Sequence, residues 1–233
     1  MSPHRGLIDA DRVGADRRLG VDEALVDLFP EHALMRGQII TYAGDAARSL
    51  ALATVARATA DGSWLALVAV GDLGIEAAVE LGVDLTRTVV IDARCADHRR
   101  WVDVVGAAAE GCEVIIAAAP PQLSDRALRW LRQRLRSRGA ALLMLAESDR
   151  PSRNRYGAEL DFDVRTSQWL GIERGAGVLR ARRVEVSVAG RRVHRTRTAA
   201  YWLPGPDGVI APADPVVVVA GSGRSNAIAS GMP

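Results

Sequence analysis

The sequence predicts an α/β protein in which a mostly parallel sheet is flanked by helices and extended by antiparallel strands at its C-terminal edge. Between residues 38 and 146, short apolar segments alternate with helical segments. Strands that are apolar on both faces are typical of a parallel sheet covered on both sides. After residue 150 the pattern changes to longer strand-like segments joined by short turns, which indicates antiparallel pairing.

Each element follows from a local pattern. Runs of β-branched and aliphatic residues predict strands at 38–43, 64–70, 87–91, 113–119 and 140–146. Helical spacing predicts helices between them, at 46–60, 75–81, 97–109 and 125–138. Ser124 is a suitable N-cap for the last of these helices, and Gly139 ends it. Later strands are predicted at 164–171, 177–189 and 191–202, and Val216–Val219 could add one more.

The length of 233 residues suits one domain of ordinary size. We expect an N-terminal arm at 1–19, one α/β domain at 20–202 and a Pro/Gly-rich C-terminal tail at 203–233. The prolines and the Gly/Ser-rich end of the tail indicate a segment without a core of its own.

Composition excludes several classes of function. The formal charge is +2, which gives no strong field for nucleic acid or membrane. All 30 basic residues are arginines, so no mechanism that needs a lysine from this chain is possible. Two cysteines without CxxC spacing and four scattered histidines predict no metal site. No apolar run reaches the roughly 20 residues that a transmembrane helix needs, and the first residues lack the apolar core of a signal peptide, so we expect a cytoplasmic protein.

The turn after the first predicted strand stands where a nucleotide-binding α/β domain has its phosphate loop. A working loop reads GxxxxGK[ST], whose backbone N–H groups and lysine meet the phosphates. Here Gly44 is followed by Asp45, which would repel phosphate, and Arg48-Ser49 is at most a relic of a Lys-Thr pair. The remnant Gly44, Arg48 and Ser49 therefore predicts no cofactor, and an ordinary strand–turn–helix is the simpler interpretation.

Arginines gather in two places. On helix 125–138, Leu128, Leu131 and Leu135 share one face and arginines cover the rest, which is typical of a solvated face and less so of a nucleic-acid surface. A second group on the late strands suits phosphate or an acidic protein partner. Its arginines are Arg180, Arg182, Arg183, Arg191, Arg192, Arg195 and Arg197. Tyr201 and Trp202 follow as candidate anchors, and we expect the partner site between Val184 and Val219.

In their order, these segments resemble the ATPase core of the RecA recombinases. Val21–Leu25 and Met35–Ile40 look like that family's lead-in to its first core strand, and Leu81–Asp84 is similar to its LGVD segment. Val114–Ala118 stands where the family has its Walker B strand, and Ala141–Leu145 where it has the strand before its second DNA-binding loop. The resemblance covers most of the predicted domain and implies the RecA fold.

The departures from that family concern its catalytic positions. The Walker A lysine, catalytic glutamate, Walker B aspartate and coupling glutamine correspond here to Arg48 or Leu50, Val70, Ala118 and Ser148. The first DNA loop is reduced to Pro120–Leu123. Without the lysine and the Mg²⁺-linked carboxylate, phosphoryl transfer lacks its charge neutralisation, so we expect a chain that is not an enzyme.

A RecA-like chain without catalytic groups resembles the ImuA type of proteins, including the short actinobacterial form. That resemblance implies a damage-induced accessory protein of an error-prone translesion synthesis complex. The expected partner is an ImuB-like inactive Y-family polymerase homologue, and through it a DnaE-type polymerase and the sliding clamp. Direct DNA binding is expected to be weak and non-specific. The alternative is a SulA-like inhibitor of cell division, although chains of that type are usually shorter and lack the proline-rich tail.

Overall fold

Nine of the strands that the structure describes form one sheet at the centre of the fold. The computed structural model describes residues 17–71, 74–92, 98–146, 156–173, 176–205 and 207–219. The strand order across the sheet is β11-β10-β9-β8-β3-β7-β6-β4-β5. Strands β8, β3, β7, β6, β4 and β5 pair in parallel, while β9, β10 and β11 add antiparallel strands beside β8. The predicted fold class is therefore confirmed.

The described strands and helices lie close to the predicted ones. The strands are β1 Arg18–Leu19, β2 Leu34–Met35, β3 Ile39–Ala43, β4 Leu65–Val68, β5 Thr88–Ile91, β6 Val114–Ala118, β7 Ala141–Leu145, β8 Leu160–Glu173, β9 Ala176–Ala189, β10 Thr196–Trp202 and β11 Ala211–Val219. The α-helices are α1 Ala47–Ala60, α2 Ile75–Glu80, α3 His98–Ala108 and α4 Asp125–Arg138, and 3₁₀ helices form at Glu23–Leu28 and Leu85–Arg87. Ser124 caps α4 and Gly139 ends it in the left-handed conformation, as predicted.

The late strands differ from the prediction in extent. β8 begins earlier than predicted, at Leu160, and residues 191–195 form a turn instead of the start of β10. β11 begins at Ala211 and pairs with β10, so the sheet continues beyond the predicted domain boundary at 202. Residues 220–233 lie outside the described residues.

The last residues of the predicted N-terminal arm are part of the folded domain. Residues 1–16 of it lie outside the described residues. Arg18–Leu19 pairs with Leu34–Met35 in a small two-stranded sheet. Leu19 is 3% exposed and belongs to the core, so the packed domain begins before residue 20.

Two hydrophobic cores lie on opposite faces of the sheet because strand side chains alternate. Ile40 faces the core that contains α1 and the first 3₁₀ helix, whereas its neighbour Ile39 faces the core beneath α3 and α4. Leu128, Leu131 and Leu135 hold α4 on the second face, as predicted. No helix among the described residues is long and apolar enough to cross a membrane.

The late strands are part of the first core. The sequence predicts these strands as additions at the edge of the sheet, but their inward residues also complete this core. The inward residues of these strands are Leu160, Phe162, Val164, Val184, Val186, Val188 and Tyr201. Phe162 stacks on Tyr42 with ring centroids 4.7 Å apart and tilts against Phe29 at 5.5 Å. These rings join β8 to the parallel half of the sheet.

Removing the Phe162 ring should test this contribution to the core. We expect Phe162→Ala to lower the free energy of unfolding by about 3–5 kcal/mol, because it deletes a buried ring and leaves a cavity. Urea denaturation measures this change. Ser167→Ala, at an exposed position of the same strand, should change stability by less than about 0.5 kcal/mol. Equal effects of the two substitutions would contradict a core role for β8.

Candidate functional site

The phosphate-loop position lies at the carboxyl end of β3 and is in close contact with β8. Gly44 has φ +103°, a backbone conformation that favours glycine. A Cβ atom at Gly44 would lie 2.1 Å from the carbonyl oxygen of Val164. No side chain fits between the loop and this strand, so the glycine permits close strand packing at the place where a nucleotide-binding loop would meet phosphate.

Backbone and side-chain groups of the loop are engaged by β8. The Ala46 N–H donates to the carbonyl oxygen of Val164 at 3.3 Å. The Asp45 carboxylate accepts from the Thr166 N–H at 2.9 Å. A working phosphate loop points backbone N–H groups at its ligand, whereas here one of those groups is used within the chain.

The side chain of Arg182, on β9, also reaches the phosphate-loop position. Its guanidinium donates to the Ser49 hydroxyl at 2.7 Å and to the Leu203 carbonyl oxygen at 2.9 Å. It also lies over the Trp169 ring, 5.2 Å from the ring centroid. The residue is only 9% exposed. An internal cation therefore holds the hydroxyl that would approach Mg²⁺ in a working loop.

The charges of Asp45 and Arg182 support each other. Burial raises the pKa of Asp45, but hydrogen bonds from Thr166 and the charge of Arg182 outweigh it, so the pKa lies below its usual value. Burial lowers the pKa of Arg182, and the Asp45 charge partly opposes that effect. Both groups remain ionised at neutral pH because arginine titrates far above it and aspartate far below it.

These residues do not fit a magnesium–nucleotide complex. The chain contains no lysine, and Asp45 would repel phosphate. The positions aligned with the catalytic glutamate and the Walker B aspartate are Val70, which is buried, and Ala118 at the end of β6. Arg48 is exposed on α1. Ser148, aligned with the coupling glutamine, lies outside the described residues.

The predicted partner-site residues occupy different environments. Arg191 and Arg195 are exposed in the turn before β10, and Trp202 is half-buried at the end of that strand. Arg192 forms an ion pair with Glu31 at 2.8 Å, and Arg197 donates to the Asp27 carbonyl oxygen at 2.7 Å. Arg197 thus attaches the late strands to the first 3₁₀ helix, and Arg192 attaches them to the segment that follows it.

Tyr201 cannot serve as an exposed anchor. Its side chain is 1% exposed and packs in the first core. Burial raises the pKa of its phenol, with the nearby Asp27 charge adding to the effect. The structure corrects the prediction for this residue, because the inward face of β10 carries Ala199 and Tyr201.

The arginines of α4 are partly structural. Arg132 donates to the carbonyl oxygens of Tyr156 and Gly157, and Arg134 and Arg138 pair with Glu110 on the α3 side. Arg126 and Arg129 are exposed. The predicted solvated face is therefore present, and part of it connects α4 to its neighbours.

The sequence pattern did not predict that Arg182 faces inward, and Arg182 was placed among the arginines of the late strands as part of a partner surface. A signal for it existed. Arg182 has the same parity along β9 as Val184, Val186 and Val188, which all face the first core. Its partners Asp45 and Ser49 are more than 130 residues away in sequence, and no local pattern connects them.

The molecule has a RecA-like α/β fold. Its phosphate-loop position is occupied by contacts with β8 and by the side chain of Arg182. Among solved structures, the crystal structure of the RadB recombinase is similar, with a TM-score of 0.59 and 13% sequence identity, over 82% of this chain and 97% of that chain. At this identity the similarity establishes the fold alone.

The chain belongs to the family of the MT3502 N-terminal domain, which matches residues 27–150. A curated relative is uncharacterized protein Rv3395c of Mycobacterium tuberculosis (strain ATCC 25618 / H37Rv), 36% identical over 99 residues. The match covers 42% of this chain and 47% of that protein, so the chain spans about half the length of the relative. The matched family region includes the loop, α1 and the parallel strands from β3 to β7.

A double-mutant cycle should measure the hydrogen bond between Arg182 and Ser49 at the phosphate-loop position. We expect Arg182→Met to lower the free energy of unfolding by about 2 kcal/mol and Ser49→Ala by about 1 kcal/mol, because each removes a partner of a charge-assisted hydrogen bond. The double variant should lose about 1 kcal/mol less than the sum of the single variants. Urea denaturation of all four proteins gives the coupling, and full additivity would contradict the contact.

Proposed function

We propose that this protein is a non-catalytic adaptor of an error-prone translesion DNA synthesis complex in the DNA damage (SOS) response. In this proposal it binds an ImuB-like inactive Y-family polymerase homologue. Through that partner it is linked to a DnaE-type polymerase and the sliding clamp. The proposal combines the RecA-like fold with the resemblance to ImuA-type proteins noted in the sequence.

The proposal that the protein is non-catalytic rests on the phosphate-loop position, which is occupied by groups of the protein itself. Arg182 donates to Ser49, Thr166 donates to Asp45, and the carbonyl oxygen of Val164 lies against Gly44. A triphosphate would have to displace all three contacts. Phosphoryl transfer also requires a cation clamp and a metal-binding carboxylate, and the corresponding positions carry neither a lysine nor an acidic side chain.

The late strands support the adaptor part. Arg191 and Arg195 are exposed in the turn before β10, and Trp202 is half-buried at the far end of that strand. Arginine and tryptophan are among the residues most enriched at interface hot spots. An acidic surface on the partner would complement this group. Any direct contact with DNA would go through such arginines and depend strongly on salt.

The purified protein should not turn over ATP. We expect no magnesium-dependent phosphate release above background and no change in the fluorescence of a labelled ATP analogue, because the loop lacks its lysine and its Ala46 N–H is already bonded to Val164. A coupled phosphate-release assay and an equilibrium titration measure these properties. Turnover that disappears in Arg48→Ala or Ser49→Ala would contradict the proposal.

Charge reversal in the turn before β10 should weaken the partner complex. We expect Arg191→Glu combined with Arg195→Glu to reduce binding of the ImuB-like partner, and Trp202→Ala to cost about 2 kcal/mol of binding free energy. Isothermal titration with the purified partner measures both effects. A variant without the C-terminal tail should end at Val219, because a shorter chain would lose β11 and expose the edge of β10.

The matched control reverses the same number of charges on α4. Arg126→Glu combined with Arg129→Glu changes two exposed arginines of that helix and should leave the affinity unchanged. Circular dichroism establishes that every variant is folded. If the α4 variant loses binding and the β10 variants retain it, the partner site lies on α4, and the assignment to the late strands is wrong.

A further inference from the structure

The sheet edge opposite β11 is formed by β5 and exposes apolar side chains. Val90 is 72% exposed and Val89 38%. Residues beside the strand add to the surface on the Val90 side, and we call this set the β5 edge patch: Ile75, Val79, Leu85 and Val90. Single exposed apolar residues are ordinary, but a group of this kind indicates an interaction surface.

A cleft makes the patch concave. It has a volume of about 400 Å³ and lies between the start of α2 and β5, with Ile75, Leu85 and Val90 around it and Leu67 and Val70 in its lining. Val90 pairs with Leu67 of β4, which faces the first core. Apolar side chains entering from outside would therefore contact buried aliphatic residues.

The backbone of β5 has one side turned away from the sheet. Among the described strands, β5 pairs with β4 and is the last in the order. The Ile91 carbonyl oxygen accepts from the Ala69 N–H on the β4 side. Because polar groups alternate in direction along a strand, the N–H and C=O of Val90 point away from β4.

The two edges of the sheet are protected differently. β11 carries Pro212 and Pro215, and proline limits strand addition at an exposed edge because it has no N–H. β5 reads Thr-Val-Val-Ile, with no proline and no charged residue. An unprotected β-branched edge next to an apolar cleft has the features used in peptide recognition by strand addition.

Charged residues around the β5 edge patch indicate which kind of peptide segment could bind there. Glu76 and Glu80 lie on α2 one position after Ile75 and Val79, so an acidic stripe runs beside the apolar one. Asp84 precedes the 85–91 segment, and its carboxylate accepts hydrogen bonds from Thr86. The cation Arg87 is placed over the Trp64 ring, 5.4 Å from its centroid. The rim thus complements basic residues.

We propose that β5 binds an extended segment of a partner protein by β-strand addition. The segment carries aliphatic residues at alternate positions, which enter the cleft, and arginine or lysine residues at its ends, which face Glu76 and Glu80. Its backbone bonds to the outward N–H and C=O of Val90. This surface is separate from the one assigned to the late strands and would give an adaptor a second point of attachment.

Synthetic peptides test the chemistry directly with the full chain. The probe is a fluorescein-labelled eight-residue peptide that alternates valine and threonine and carries an arginine at each end. One control peptide has N-methyl groups on the backbone positions of one edge, and the other replaces both arginines by glutamate. Fluorescence anisotropy should show binding of the parent and about tenfold weaker binding of each control, since each loses hydrogen bonds or charge pairing.

Variants of the protein locate the binding. Val90→Pro keeps an apolar side chain and removes the outward N–H, so it should reduce binding of the parent peptide by about tenfold or more with the fold intact. Val90→Lys should do the same, while Gln122→Lys, which adds the same charge at an exposed loop position, should not. Circular dichroism and urea denaturation establish folding of each variant.

Two results would overturn the proposal. One is equal binding of the parent and N-methylated peptides, which would exclude strand addition. The other is a concentration-dependent oligomer of the wild-type chain that Val90→Lys dissociates, measured by light scattering, because the occupant would then be a second copy. Neither result affects the adaptor proposal, which is tested at Arg191, Arg195 and Trp202.

Discussion

The parallel pairing of β8 with β3 is the constraint on which both the core and the phosphate-loop position depend. It stacks Phe162 on Tyr42 and places the carbonyl oxygen of Val164 against Gly44. A strand in this register leaves no room for a side chain at Gly44 and accepts a hydrogen bond from the Ala46 N–H of the loop. Stability of the sheet and closure of the loop are therefore consequences of the same contact.

Arg182 completes this arrangement because a buried cation needs partners. Removing a guanidinium from water costs several kcal/mol, and here Ser49, the Leu203 carbonyl oxygen and the Asp45 charge compensate for it. In nucleotide-binding relatives of this fold, a positive charge at the loop meets phosphate. In this chain the positive charge comes from β9, and its hydrogen-bond acceptors are protein atoms.

The two surfaces that we propose for partner binding lie at the two ends of the sheet. Arg191, Arg195 and Trp202 belong to β10 and the turn before it, next to the β11 edge, whereas the β5 edge is apolar with Glu76 and Glu80 beside it. Opposite charges at opposite ends suit a protein that joins two partners of different chemistry. A central parallel sheet packed on both faces keeps these two ends at a set separation, because its interior is close-packed and resists deformation.

The sequence by itself determined the elements of the parallel half and the absence of lysine from the phosphate-loop position. Apolar runs, the Ser124 cap and Gly139 are local signals, and the absence of lysine needs no structure at all. Only the tertiary structure decided which late residues face inward. Tyr201 and Arg182 look like surface residues in a basic, strand-rich segment, but strand parity and pairing over more than 100 residues bury them. The closed loop depends on contacts between β3, β8 and β9, and such long-range contacts leave no periodic pattern in the chain.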